Sequence, residues 1–435
     1  MENGHIVWAE KSPEKDVSRP RARSREGSAG EGHSVIARRA MPGLRSGLLV
    51  LMGLLVIEPW ADRALAQKQE GHETSELTTQ RLRGKGWWPT RADAAREDFV
   101  GTAKCAECHQ QIAGTQQETP MARAAQRASE TEALRSNPRL SLSTPPFQTV
   151  ITHDSKFINY VVNGRGDSIS AEVLWSIGDG VKGQTFILSY LGTLFESQLS
   201  YFPSIGGLDI TPEHPRTAPE FLEAALGVPQ TELAAQQCFA CHTTASSLRE
   251  RFNANLATPG VTCEACHGPG ARHVKAIEAG QLKTAAQLIL DPGSFAPVDV
   301  VDFCGACHRT PLDVAAAKNY GPLNIRFQPY RLSKSRCWSR PDPRITCIAC
   351  HDPHKPLVHD AAFYDAKCLA CHGHATAGAS AGIASDRQRT NSSTCPVGTE
   401  GCVSCHMPKY EDPQFHGSFT DHDIRIVHAG DPYPL

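Results

Sequence analysis

Long hydrophobic runs are nearly absent from this 435-residue chain. The longest, LLVLMGLLVI at 48–57, is too short to cross a ~30 Å hydrocarbon core as a permanent helix. Charge of one sign is also lacking, since 44 Lys and Arg face 46 Asp and Glu. That balance excludes a basic field for nucleic acid. Aromatics amount to 7% and methionines to five, which implies a smaller apolar core than the length alone suggests. No dinucleotide glycine fingerprint, phosphate-binding loop or hydrolase nucleophile elbow is present, so the chemistries those motifs serve have no local support.

The hydrophobic run is preceded by Arg38, Arg39 and Arg45 and followed by Ala64-Leu65-Ala66 before Gln67. A basic flank, a short apolar run and a small-x-small site predict a signal peptide over 1–66, with Met41 a candidate true start. A cytosolic tail with a membrane anchor is the competing reading. Beyond residue 66 the chain holds 34 basic and 38 acidic residues, a balance that names no protein partner.

Cysteine is abundant, at 16 residues. Fourteen fall into seven copies of one pattern: CAECH (105–109), CFACH (238–242), CEACH (263–267), CGACH (304–308), CIACH (347–351), CLACH (368–372) and CVSCH (402–406). A zinc ribbon or a redox Cys-x-x-Cys does not require the following His, yet every copy has it. Cys-x-x-Cys-His is the attachment motif of c-type haem. Two thiols one helical turn apart add to the vinyl groups on one porphyrin edge, and the adjacent imidazole falls over the iron. The expected cofactor is therefore seven covalently bound haem c. The attaching pairs are Cys105/Cys108, Cys238/Cys241, Cys263/Cys266, Cys304/Cys307, Cys347/Cys350, Cys368/Cys371 and Cys402/Cys405. The proximal ligands are His109, His242, His267, His308, His351, His372 and His406. The two cysteines outside the motifs, Cys337 and Cys395, are expected to form a disulfide, separate thiols being the alternative.

Motif starts lie 133, 25, 41, 43, 21 and 34 residues apart. The expected organisation is a polar lead-in over 67–96, a first haem segment over 97–145, a β-rich insert over 146–215 and a six-haem segment over 216–435. In the insert, 149–162 alternates around Asp154-Ser155, and 183–202 predicts a hairpin folded at Leu191-Gly192-Thr193. TAPEFLEAALG (217–227) and ARHVKAIEAG (271–280) predict short helices. The expected fold class is mostly α and irregular around a haem-packed core, with the β-rich insert small.

A six-coordinate haem needs a second axial ligand, usually His or Met. That ligand must reach the opposite ring face, a path on the order of 20 Å or roughly six extended residues. His354 and His374 lie too close to their own motifs, so any iron they bind is a neighbour's; Met407 is excluded at its own haem for the same reason. Met121, twelve residues past His109, has room to return to the first haem. Candidates are Met121, His214, His273, His354, His374, His416 and His422. His153, His359 and His428 rank lower, and His72 falls outside the expected folded part.

CEACHGPGARH (263–273), CIACHDPH (347–354), CVSCHMPK (402–409) and FTDHDIRI (419–426) resemble signatures of doubled-CXXCH multihaem cytochromes. That superfamily includes cytochrome c554, cytochrome c nitrite reductase and hydroxylamine oxidoreductase. FVGTAKCAECH (99–109) is similar to its first-haem approach. The resemblance covers roughly 97–430 and implies distal roles for His273, His354 and His422. It also implies a distal His in the region where this chain has Met121. The Cys-x-x-Cys-Lys haem of most nitrite reductases is lacking, as is an eighth motif. The leading expectation is an exported electron carrier in the periplasm or at the cell exterior. Expected partners are other redox proteins or quinol-linked donors, with no nucleic acid; a membrane partner stays open, without a retained transmembrane helix. One alternative is a reductase or oxidase of a small nitrogen or sulfur compound at an open haem, with the first haem beside Arg123 as the site. The other is a subunit of a larger haem assembly.

Overall fold

The structure is a computed structural model, and it describes residues 93–431 apart from 154–156, 250, 319, 336, 339–343, 374–397 and 429. The expected signal peptide, His72, His374 and the Cys337–Cys395 pairing lie wholly or partly outside the described residues.

After a 3₁₀ turn at Arg96–Asp98 comes helix α1 (Thr102–Gln117), which carries the first motif. Strands β1 (Ala125–Arg127), β2 (Arg139–Thr144), β3 (Phe147–His153), β4 (Ile158–Gly164), β5 (Asp167–Ile177), β6 (Gln184–Tyr190), β7 (Thr193–Phe202), β8 (Gly207–Ile210) and β9 (Gly227–Pro229) follow. They form one nine-stranded antiparallel sheet in the order β2-β3-β4-β5-β6-β7-β8, with β1 on β5 and β9 on β7. Its two ends approach each other, β2 against β8, so the sheet curls nearly into a barrel.

This corrects the expected fold class. The sheet is large, with strand making up 24% beside 42% helix, so the fold is not clearly a mostly helical haem core with a small insert. The main apolar cluster lies inside the sheet, with Phe147, Tyr160, Val162, Phe186, Leu188 and Leu199 each buried. Sequence reading underestimates it because the flanking strands β1, β8 and β9 have only three or four residues, too few to show alternation.

The expected hairpin is present. Leu191 and Gly192 both take positive φ, 48° and 81°, the backbone of a two-residue hairpin loop whose twist matches the strands. The helix expected over 217–227 is not. That stretch holds only a 3₁₀ turn, Glu223–Ala225, and then joins the sheet as β9. Gly227 explains the outcome: at φ 129° it lies so close to β7 that a Cβ would stand 2.0 Å from the Glu196 carbonyl oxygen.

One irregularity places the sheet against the second motif. Val173 and Trp175 would share a face in a regular strand, but a bulge between them breaks the alternation. Val173 stays in the inner cluster, while Trp175 joins Ala125, Ile187 and Phe239 in a second cluster. Phe239 belongs to CFACH, and its ring meets Trp175 edge-on at 5.2 Å. The sheet thus grips the helix that carries the second motif.

The remaining motif helices are α2 (Glu232–His242), α3 (Cys263–His267), α5 (Pro297–His308), α7 (Cys347–Cys350), α8 (Ala361–His372) and α9 (Cys402–His406). Between them run α4 (Ala271–Glu278) and α6 (Gln328–Ser333), and a hairpin of β10 (Lys409–Asp412) and β11 (Gly417–Thr420) follows α9. The helix expected over 271–280 is α4.

Candidate multihaem site

Each motif uses its helix in the same way. Residues three and four apart share a helical face, so both thiols and the His point to one side. Helices α2, α3, α5, α8 and α9 all end at the motif His, and α7 ends one residue before it. In α1, which runs on, the backbone kinks at His109 (φ −109°, ψ 40°). Breaking the helix there lets the ring leave the helical stack.

Backbone carbonyls orient several of these rings. His242 Nδ1 donates to Ala124 at 3.0 Å, His267 Nδ1 to Leu290 at 2.7 Å and His406 Nδ1 to Arg425 at 2.9 Å. Outside the motifs, His273 Nδ1 donates to Ala285 at 2.9 Å and His422 Nδ1 to Thr420 at 3.1 Å. A carbonyl can only accept, so the proton sits on Nδ1 and the Nε2 lone pair of the neutral ring is left for a metal. Burial supports the neutral form. It lowers the pKa of His242, His308 and His351, and brings His422 down to about 4.

Two of the expected distal ligands face motif histidines. His267 and His354 bring their Nε2 atoms to 3.5 Å, with ring planes only 10° apart. An iron with axial nitrogen bonds of about 2 Å each needs them roughly 4 Å apart, so the pair fits a haem iron between them. Asp352 helps to hold His354, accepting from its backbone N–H at 3.0 Å. That bond, first among several, lowers the Asp352 pKa. His351 and His422 form the second pair, with ring centroids 6.3 Å apart.

His422 rides on an extended strap anchored by a buried ion cluster. Arg331, on α6 and fully buried, donates from Nε and Nη2 to the two oxygens of Asp421, each at 2.8 Å. Arg425 Nη1 donates to Asp421 at 2.6 Å and Arg425 Nη2 to the Tyr410 hydroxyl at 3.0 Å. Ser335 Oγ donates to the His422 carbonyl and accepts from Ile424 N. The same strap serves two motifs, since its Arg425 carbonyl orients His406. Burial pushes the Asp421 carboxyl up, but hydrogen bonds from Arg331 and the Asp423 backbone outweigh it and hold the pKa below its usual value. Its stabilising contribution is therefore complete above the ordinary carboxylate range near 4 and fades as pH falls through the lower folded value. The thermal midpoint is expected to drop on acidification below about pH 4. In Asp421→Asn that dependence should flatten; an unchanged pH profile would remove Asp421 from the account.

The other expected ligands lie elsewhere. His416 turns Nε2 to Asp209 at 2.8 Å, and His214, nearly buried, has Nδ1 near Gln198 and Nε2 near Glu196. Both therefore face carboxylates of the sheet. Met121 opens a 3₁₀ turn, Met121–Arg123, that packs against α1 of the first motif. Its carbonyl accepts from Val261, two residues before Cys263, and Ala124 in the same turn holds His242. His153, His359 and His428 are exposed.

Thiols of different motifs lie close enough to shift one another's pKa. Cys263 raises that of Cys105, Cys241 that of Cys307 and Cys304 that of Cys347, while Cys402 acts to lower that of Cys368. Charge on Cys266 also acts on Cys307, and charge on Cys350 on Cys368. These influences order the motifs first–third–fourth–fifth–sixth–seventh, with the second beside the fourth.

Cys108, Cys350, Cys371 and Cys405 are exposed, whereas Cys105, Cys347, Cys368 and Cys402, which open the same motifs, are partly buried, as are Cys241, Cys266 and Cys307.

The family described as cytochrome c554 and c-prime matches residues 215–268, the stretch holding the second and third motifs. The motifs and this match together support a c-type cytochrome. Covalently bound haem and electron transfer are supported with it. No curated protein matches the sequence. The crystal structure of the outer cell wall cytochrome OcwA aligns over 76% of this chain and 80% of its own, at 14% identity and TM-score 0.43. Similarity that low assigns no role to any residue of this chain. Among the described residues no helix is long and apolar enough to cross a membrane.

Sequence reasoning missed Arg331, Asp421 and the carbonyl acceptors. The only local signal is in FTDHDIRI, where two acids flank a His.

Proposed function

We propose that this is an extracytoplasmic heptahaem cytochrome that carries electrons along a branched row of covalently bound haems. The observation that supports it most is that thiols of different motifs lie close enough to shift one another's pKa, in a series that includes every motif. Thiols that close imply neighbouring porphyrin edges, the arrangement through which electrons hop. Each haem, once bound, supplies a one-electron iron couple whose potential the axial ligand, burial and hydrogen bonds adjust. In this reading His267/His354 and His351/His422 are axial pairs, and His273, whose Nδ1 is bound to the Ala285 carbonyl, is a third distal ligand. The signal-like run at 48–57 supports export to the periplasm or cell exterior. Redox proteins or quinol-linked donors are the proposed partners.

Haem analysis of the purified protein should return seven haems per chain. Rapid reduction by a small donor should fill all of them in one connected process. Fewer haems, or a fraction that equilibrates with none of the others, overturns this reading.

A second reading is favoured by one observation: the Nε2 atoms of His214 and His416 are turned to carboxylates. Two candidate distal ligands are thereby withdrawn, which leaves room for an open haem that binds a small nitrogen or sulfur compound. A high-spin ferric fraction that binds nitrite, cyanide or carbon monoxide would support it. Met121→Ala tests the first haem: conversion to high spin assigns Met121 as its ligand, and an unchanged spectrum removes it.

A further inference from the structure

We infer that Glu264 and Asp365 are positioning residues that fix the spacing between two pairs of neighbouring haems. The inference rests on the reading that the motifs carry haem. Two separate places in the fold show the same arrangement. Glu264 lies inside CEACH and is 3% exposed. One of its oxygens accepts from Val100 N at 2.9 Å and Gly270 N at 2.8 Å, the other from Gly101 N at 2.8 Å. Val100 and Gly101 lead into α1 and the first motif, while Gly270 leads into α4 and His273. The third-motif helix α3, which carries Glu264, packs against α1 of the first motif.

Asp365 repeats the device between the sixth and seventh motifs. It sits on α8, three residues before Cys368, and is 7% exposed. Its oxygens accept from Gly401 N at 2.7 Å and Cys402 N at 2.8 Å. Cys402 belongs to the seventh motif, whose helix α9 packs against α8. Both approach segments place a left-handed glycine at the clamp, Gly101 at φ 81° and Gly401 at φ 69°. Left-handed backbone favours glycine, and both glycine amides donate to the carboxylate.

The consequence is geometric. A carboxylate with both oxygens engaged by backbone amides is held in position and orientation at once. In the first clamp Cys263 adjoins Glu264 and Cys105 follows the donor Gly101 by four residues; in the second Cys368 is three residues from Asp365 and Cys402 is itself a donor. The clamp therefore constrains the separation of two porphyrin edges, on which inter-haem coupling depends.

The test uses the holoprotein with Glu264→Gln and Asp365→Asn. An amide keeps the shape but presents an N–H₂ to a backbone donor. Haem content is measured first, then magnetic coupling between ferric haems by electron paramagnetic resonance, then inter-haem exchange rates. Glu264→Gln should change the coupling of the first and third haems and slow their exchange several-fold, leaving the sixth and seventh as they were. Asp365→Asn should do the reverse. Full haem content with unchanged coupling in both variants overturns the proposal, and so does an equal loss at both pairs from either variant. If Glu264→Gln does not accumulate, Asp365→Asn alone decides by the same criteria. A wild type lacking seven haems would fail the functional reading instead.

Discussion

Arg331→Met is expected to destabilise the protein by about 3 kcal/mol, the lower end of the cost of breaking a buried ion pair. The lower end applies because Asp421, once abandoned by Arg331, keeps Arg425 at 2.6 Å. Methionine fills the volume but leaves a buried carboxylate short of two hydrogen bonds. Denaturant unfolding measures the loss. A spectroscopic effect should accompany it, since the strap holds His422 opposite His351. Freed from its anchor, His422 should leave the iron in part of the population, adding a high-spin ferric signal. Arg331→Lys restores charge but not the two-pronged geometry, so it should recover part of the stability and less of the spin state. A methionine variant with wild-type stability and spectrum would show that the strap holds without the ion pair.

The second large effect concerns His354. His354→Ala should remove the sixth ligand from the haem of the third motif and turn that haem alone high-spin. Added imidazole or cyanide should then bind it and return the low-spin spectrum. His416→Ala is the matched control, because its Nε2 is already committed to Asp209. It should leave every haem unchanged. A low-spin spectrum in His354→Ala, or a high-spin one in His416→Ala, would reverse the assignment.

What the sequence revealed and concealed follows from the range of each interaction. Haem attachment is local, since two thiols and an imidazole within five residues carry the chemistry. All seven motifs were therefore legible. The exclusion of His354 from its own haem was legible, because chain reach sets it. Its partner was not: His267 lies 87 residues away, and nothing local marks the pair. Arg331 and Asp421, 90 residues apart, were hidden for the same reason. The sheet was half legible. Its long central strands alternate visibly, but β9 reads as the end of a helix until Gly227 is seen against Glu196. His214 and His416 looked like spare ligands because sequence shows a histidine without showing where its nitrogens point.

The contacts among the motifs also bear on tolerance to damage. In the proposed row of haems, the first, second and seventh are end points. Loss of any one of them removes a terminus and leaves the others in communication. The fourth, at Cys304 and Cys307, is a cut vertex: its thiols and those of the second, third and fifth motifs influence one another. In that row, its loss would leave three separate groups, the first with the third, the second alone, and the fifth through seventh. The cofactor whose loss does most harm is therefore an interior one, attached to the helix against which Arg331's helix packs.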